Sequence, residues 1–201
     1  MTKENEVKKI IKELGGIAKT SDLNKRGIKN YELSDLYEKG KINKIRHGYY
    51  QISENSSLSE EFLIASLIKE SIVCMETALL YYGYSDHTYG AWTIAVPRTF
   101  SRTKLINNGL KLKVYYITDE KFELGRSKAI FNGIELPIYN RERVLCDCFK
   151  YRNRIDSETF NKAIKAYVND DKKNIANLTK YAKELRVYKK VIEIMGVLLN
   201  D

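Results

Sequence analysis

The 201-residue chain holds few of the residues from which cross-links and many active sites are built: three cysteines, two histidines, two prolines and one tryptophan. Cys74, Cys146 and Cys148 form an odd count with no spacing that reads as a disulfide framework, which points to a reduced, cytoplasmic protein. Nor do they suggest a metal. Cys146 and Cys148 stand two apart on a helical segment and would point in widely different directions, and neither Cys74 nor the histidines lie at a matching spacing. No run approaches the roughly 20 apolar residues of a membrane span, and MTKENEVKK lacks the apolar core of a secretion signal, so no membrane partner is expected. A Gly-rich phosphate loop, a nucleophile elbow, a metal-binding histidine pair, internal repeats and low-complexity tracts are also missing. The expectation is a protein without cofactor, metal or catalytic residues.

What the chain does hold is positive charge at its two ends. Its formal charge is +9, from 35 Lys and Arg against 26 Asp and Glu. Residues 1–55 carry twelve cations against eight anions, residues 56–149 eleven against eleven, and residues 150–201 twelve against seven. That distribution suits a polyanion held by the N-terminal part.

Gly15 to Ile52 reads as a winged helix-turn-helix. A short helix over 20–25 stops at Gly27, a second over 30–39 stops at Gly40, and a tight hairpin about His47-Gly48 follows. Thr20 or Ser21 can cap the first helix and Asn30 the second, while Gly27 and Gly40 suit a left-handed exit. Leu33, Leu36 and Tyr37 share one face and leave the other free to read DNA. Strand parity points Ile45, Tyr50 and Ile52 inward and Lys44, Arg46, Tyr49 and Gln51 outward, with His47 and Gly48 able to take positive φ in the turn. Lys29, Asn30, Tyr31, Glu32 and Ser34 open the second helix, where side chains reach base edges in the major groove; Asn suits adenine and Glu suits cytosine N4. Lys19, Thr20 and Ser21, with Lys44, Arg46 and His47 on the wing, are the phosphate or minor-groove candidates. An amphipathic helix over 3–14 (Val7, Ile10, Ile11, Leu14) covers this module, whose core adds Ile17, Leu23, Ile28, Leu33, Leu36, Ile42 and Ile45.

Ser53–Glu60 is polar, carries a capping signal and marks a boundary, dividing a DNA-binding domain at 1–55 from a second domain at 56–201. Helical periods over 58–69 and 75–82 are followed by strand-like 92–96, 114–117, 127–131 and 134–139, and Asn132-Gly133 signals a hairpin. Pro137 places its strand at an edge or interrupts it. Helices over 141–150, 157–168, 174–185 and 188–199 complete the chain, and Val144, Leu145, Cys148 and Phe149 form an apolar stripe. The fold class is α+β, a winged helix-turn-helix followed by a mixed domain with a small β-sheet and flanking helices.

Taken with METALLYYGYSD (75–86), WTIAVP (92–97) and RERVLCDCFKYRN (141–153), the 15–52 stretch resembles the AbiEi family, the antitoxins of the AbiE abortive-infection (type IV) toxin–antitoxin system. The resemblance implies a transcriptional repressor that binds inverted repeats of double-stranded DNA in its own promoter. It also implies an antitoxin that opposes a nucleotidyltransferase-like toxin without a stable complex. In the second domain Arg98, Arg102 and Lys104 form a basic loop, and Arg141, Arg143, Asp147 and Lys150 stand close together on one helix. These are candidates for the antitoxin role or for extra DNA affinity, although the spacing of Arg143 and Asp147, four apart, argues more strongly for an ordinary surface ion pair. Tyr81, Tyr82 and Tyr84 could stack on bases or be buried. Two other readings stay open. A winged-helix nuclease would need carboxylates and a lysine about a metal, for which Asp119, Glu120, Lys121 and Glu135 are the nearest set. A protein-interaction module would not bind DNA at all.

Overall fold

The computed structural model describes residues 2–53, 58–106 and 109–198, so 54–57 of the expected linker lie outside the described residues. The fold is mixed α+β, with ten α-helices and two sheets among the described residues. Two compact units result: residues 1–68 with 101–110, and residues 69–100 with 111–201. The first unit thus runs past the boundary expected at residue 55 and includes a segment from the middle of the chain.

In the first unit, α1 (Lys3–Glu13), β1 (Ile17–Lys19), α2 (Thr20–Lys25), α3 (Asn30–Glu38), β2 (Ile42–Arg46), β3 (Tyr49–Ile52) and α4 (Glu60–Leu67) follow in order. Thr2 caps α1 by accepting from Asn5 N–H, and Glu4 and Glu6 favour its positive end. Gly27 (φ 86°) and Gly40 (φ 68°) let the chain leave α2 and α3 in the left-handed region, as their positions predict. The three strands form an antiparallel sheet in the order β1-β3-β2. Val7, Ile10 and Ile11 of α1 pack with Leu23, Ile28, Leu33, Leu36, Ile42 and Ile52 in one core. Each fully buried aliphatic side chain there contributes on the order of 1.5–3 kcal/mol.

The second unit contains β4 (Ile72–Val73), α5 (Met75–Tyr81), β5 (Trp92–Pro97), β6 (Leu112–Ile117), α6 (Asp119–Phe122), β7 (Arg126–Phe131), β8 (Ile134–Tyr139), α7 (Arg141–Lys150), α8 (Ser157–Val168), α9 (Ile175–Glu184) and α10 (Tyr188–Leu198). Its sheet has the order β6-β5-β4-β8-β7. Asn132 (φ 48°) and Gly133 (φ 82°) both take positive φ, the requirement of a tight two-residue hairpin, and set the pairing Phe131↔Ile134. Pro137 does not mark an edge: β8 lies between β7 and β4. The two-residue β4 pairs with it only at Val73↔Ile138, which leaves little ladder for the missing N–H to interrupt.

Helix α7 is the centre of this unit. Eight of its ten residues are buried, so it presents no single apolar stripe but is enclosed all round by packing with α5, α8, α9 and α10. Asn140 caps it by accepting from Arg143 N–H at 3.0 Å. Arg143 and Asp147 are therefore not the surface ion pair their spacing suggests; both are buried, with Arg143 Nε 3.0 Å from Asp147 Oδ2. Arg143 Nη1 also donates to the carbonyls of Lys121 and Leu124, each at 2.7 Å, and the guanidinium lies 4.1 Å from the centre of the Tyr139 ring. Burial raises the Asp147 carboxyl above the ordinary carboxylate range despite the attraction of Arg143. Removing one partner strands the other's charge, so Asp147→Ala is expected to cost about 3–5 kcal/mol in urea unfolding, and Arg143→Met with Asp147→Leu to cost less than the single change. A double variant as unstable as Asp147→Ala would show that the pair itself is stabilising.

Candidate functional site

The exposed face of the first unit is built by α3 and the β2–β3 hairpin. Lys29, Asn30, Tyr31 and Ser34 are exposed, Tyr31 with 67% of its surface accessible. Glu32 is not a free reader of bases. Its carboxylate accepts from Lys29 N–H at 2.7 Å and lies 3.5 Å from Lys3 Nζ, so it closes the start of α3. Asn30 is the first helical residue, not its cap, and neither Thr20 nor Ser21 caps α2, which begins after Lys19 without a side-chain cap. Instead Thr20 N–H donates to the Gly48 carbonyl at 2.9 Å and joins the start of α2 to the hairpin turn. Tyr37, expected to pack, is 49% accessible beside the buried Leu33 and Leu36.

The hairpin departs from simple alternation. Lys44 pairs with Tyr50, but Arg46 pairs with Tyr49, so the register shifts at Ile45. This bulge inserts one residue and reverses the side-chain parity after it. Ile45 is left half-buried, and Arg46, expected at the surface, is only 9% exposed. Its Nη1 donates to the Lys104 carbonyl at 2.7 Å and its Nη2 to the Leu67 carbonyl at 3.2 Å. The Arg46 guanidinium also lies 4.1 Å from the Tyr49 ring centre, with Lys19 Nζ at 5.5 Å from the same ring. Partial burial acts to raise the Tyr49 phenol pKa, but hydrogen bonding and charge from Arg46 and Lys19 outweigh it and hold it below its ordinary value. In the turn only Gly48 takes positive φ (76°); His47 does not, and both His47 and Lys44 are exposed. The structure thus gathers Lys19, Lys44 and His47 about the hairpin and removes Arg46 from the exposed set. Tyr49, not foreseen in this role, is the ring that Lys19 and Arg46 share; the bulge that brings Arg46 onto it has no local sequence signal.

The remaining candidates separate. Arg98 follows β5 in the second unit, whereas Arg102 and Lys104 belong to the first, so they do not form one basic loop. Arg141 is half-buried, 2.8 Å from Asp170 Oδ2 and stacked 4.6 Å from the Tyr82 ring centre, and Asp170 also accepts from Tyr84 O–H. Tyr84 is buried, Tyr82 half-buried and Tyr81 exposed. Lys150 is exposed, unlike Arg143 and Asp147 on the same helix. Asp119, Glu120 and Lys121 form the short α6, with Lys121 Nζ donating to the Glu184 carbonyl, and Glu135 pairs with Lys128 at 2.8 Å. The nuclease set is therefore divided among unrelated contacts. Among the described residues, no group of three or more His, Cys, Asp or Glu side chains stands where it could hold a metal ion. All three cysteines are buried, and burial pushes their thiols up, away from the reactive thiolate. No helix of the described residues is long and apolar enough to cross a membrane.

No protein-family model matches the sequence, and no curated protein matches it. The fold is similar to the crystal structure of the RV2827C protein from Mycobacterium tuberculosis, with a TM-score of 0.62 at 13% identity, covering 89% of this chain and 70% of that one. At that identity the likeness shows a shared fold alone.

The buried position of Arg46 generates a test. Arg46→Met leaves the Leu67 and Lys104 carbonyls without their donor and is expected to lower stability by about 1–3 kcal/mol in urea unfolding. Unchanged stability would return Arg46 to the surface.

Proposed function

We propose that residues 2–53 form a winged helix-turn-helix and that the protein is a DNA-binding transcriptional repressor of its own operon. The observation that carries this reading is the pairing of an exposed α3 N-terminus with an adjoining hairpin whose exposed cations stand on the same unit as that helix. In the helix-turn-helix mode, the N-terminal residues of the second helix contact base edges and the surrounding cations contact phosphates. Asn30, Tyr31 and Ser34 are the base-reading candidates, and Lys19, Thr20, Ser21, Lys29, Lys44 and His47 the backbone-contacting ones. The partner is double-stranded DNA carrying inverted repeats, and the protein works in the cytoplasm without a cofactor. The antitoxin role against a nucleotidyltransferase-like toxin rests on the resemblance of the sequence to the AbiEi family. The second unit would carry it, with Arg98, Arg141 and Lys150 as its accessible or half-buried cations.

Binding to the duplex upstream of the protein's own reading frame, followed by fluorescence anisotropy across a salt series, tests the DNA reading. Lys44→Ala is expected to weaken binding to all sequences alike and to lower the salt slope by about one, whereas Asn30→Ala should relax preference at one base position by about 1–3 kcal/mol. Absence of salt-sensitive binding would favour a protein-interaction module. Rescue of growth when the chain is expressed with a nucleotidyltransferase-like toxin from the same operon tests the antitoxin role.

A further inference from the structure

We propose that the Tyr49 hydroxyl is a further DNA-backbone contact of the first unit: it donates to a phosphate oxygen whose charge Lys19 neutralises, while Arg46 holds the ring in place. This rests on the DNA-binding reading and adds to it a neutral contact that a count of cations does not reveal.

The three side chains share one rung of the first sheet. Tyr49 lies on the central strand β3, directly opposite Lys19 of β1 on one side and Arg46 of β2 on the other. Residues directly opposite each other project from the same face. Tyr50, the next residue, packs against the core of the unit, so parity turns Tyr49 away from that core. Arg46 packs 4.1 Å from the centre of the half-buried ring and is itself pinned by the Leu67 and Lys104 carbonyls. Lys19 is exposed and brings its Nζ to 5.5 Å from the same centre. The backbone fixes the rung as well: Thr20 N–H donates to the Gly48 carbonyl at 2.9 Å, which ties the residue after Lys19 to the residue before Tyr49.

The chemistry of this rung suits an anion with acceptor oxygens. Arginine and lysine side chains only donate hydrogen bonds. Among the described residues the groups that hydrogen-bond the Tyr49 hydroxyl are these two donors, so they meet its lone pairs and leave its proton for an acceptor from outside the chain. A phosphate oxygen is such an acceptor, and a hydrogen bond to it is charge-assisted. The hairpin 42–52 carries no Asp or Glu to repel the same phosphate. Arg46, although buried, therefore acts as a positioning residue, and Tyr49 with Lys19 makes the contact.

The test compares the full chain with its Tyr49→Phe, Lys19→Ala and doubly substituted variants. Binding to a short mixed-sequence duplex and to the duplex upstream of the gene is measured across a salt series. Tyr49→Phe keeps the ring against Arg46 and is expected to keep the melting temperature. Its binding to both duplexes should weaken by roughly five- to tenfold with the parent's salt slope, because a hydrogen bond is lost and no charge is. Lys19→Ala should lower the slope by about one. Since both side chains meet one phosphate, the double variant should lose clearly less than the product of the two single losses. Tyr188→Phe, at an exposed tyrosine of α10, should bind as the parent does. If the parent binds in a salt-sensitive way and Tyr49→Phe binds as tightly, or the single losses multiply in full, the shared contact is wrong and the DNA reading stands. A binding loss that tracks a lowered melting temperature would assign the hydroxyl to the fold and overturn the contact in the same way. If the parent shows no salt-sensitive binding to either duplex, both readings fall together.

Discussion

Enclosing a guanidinium with partners for its Nε and Nη1, while its Nη2 and the Asp147 Oδ1 find none among the described residues, is the constraint on which the second unit depends. Arg143 sits inside α7 with its charge met by Asp147 one turn away, its Nη1 donors by two carbonyls around α6, and its face by Tyr139 at the end of β8. Tyr139 in turn donates to the Phe122 carbonyl at 2.9 Å, so helix, turn and strand share one polar junction. The same junction dictates a glycine: a Cβ at Gly125, already at φ 76°, would stand 2.5 Å from Arg143 Cβ. Such a buried pair is a weak source of stability, because desolvation opposes its Coulomb attraction. Its effect is on geometry, since few arrangements place Nε, Nη1 and the Tyr139 hydroxyl on their acceptors at once.

The first unit repeats the device on a smaller scale. Arg46 binds two carbonyls and lies against Tyr49 at the same 4.1 Å at which Arg143 lies against Tyr139. A cation in a basic sequence is therefore not a nucleic-acid contact by default. Two of the arginines best placed by sequence to meet a partner hold the fold together instead, and Glu32 closes its own helix. The electropositive surface has to come from the side chains that remain outside, and that shifts attention from Arg46 to Lys19 and Lys44.

Much of the chain was legible from local physics. The helices from 157 onward follow apolar spacing, Asn132-Gly133 specifies its hairpin through two positive φ angles, and Gly27 and Gly40 end their helices where expected. The elements that sequence missed are those too short to show a period: β1 with three residues, β4 with two and α6 with four. Their positions follow from neighbours, β1 from its pairing with β3 and β4 from the strands on either side. Pro137 misled for the same reason, because the length of the neighbouring strand, not its own residue type, decides whether a missing donor is costly.

By itself the sequence determined the α+β class, the order of the longer elements, the capping and turn glycines, the placement of net charge and the exposed start of α3. These depend on residues a few positions apart, whose periodicity and backbone preferences act locally. Only the tertiary structure decided which charges face solvent. One bulge at Ile45 turns Arg46 inward, α7 is enclosed so that its ion pair is shut off from bulk solvent, and Ser101 begins a segment that joins a unit whose other stretch ends at Ile68. Exposure is set by what packs against a side chain across the fold, and no local pattern encodes that.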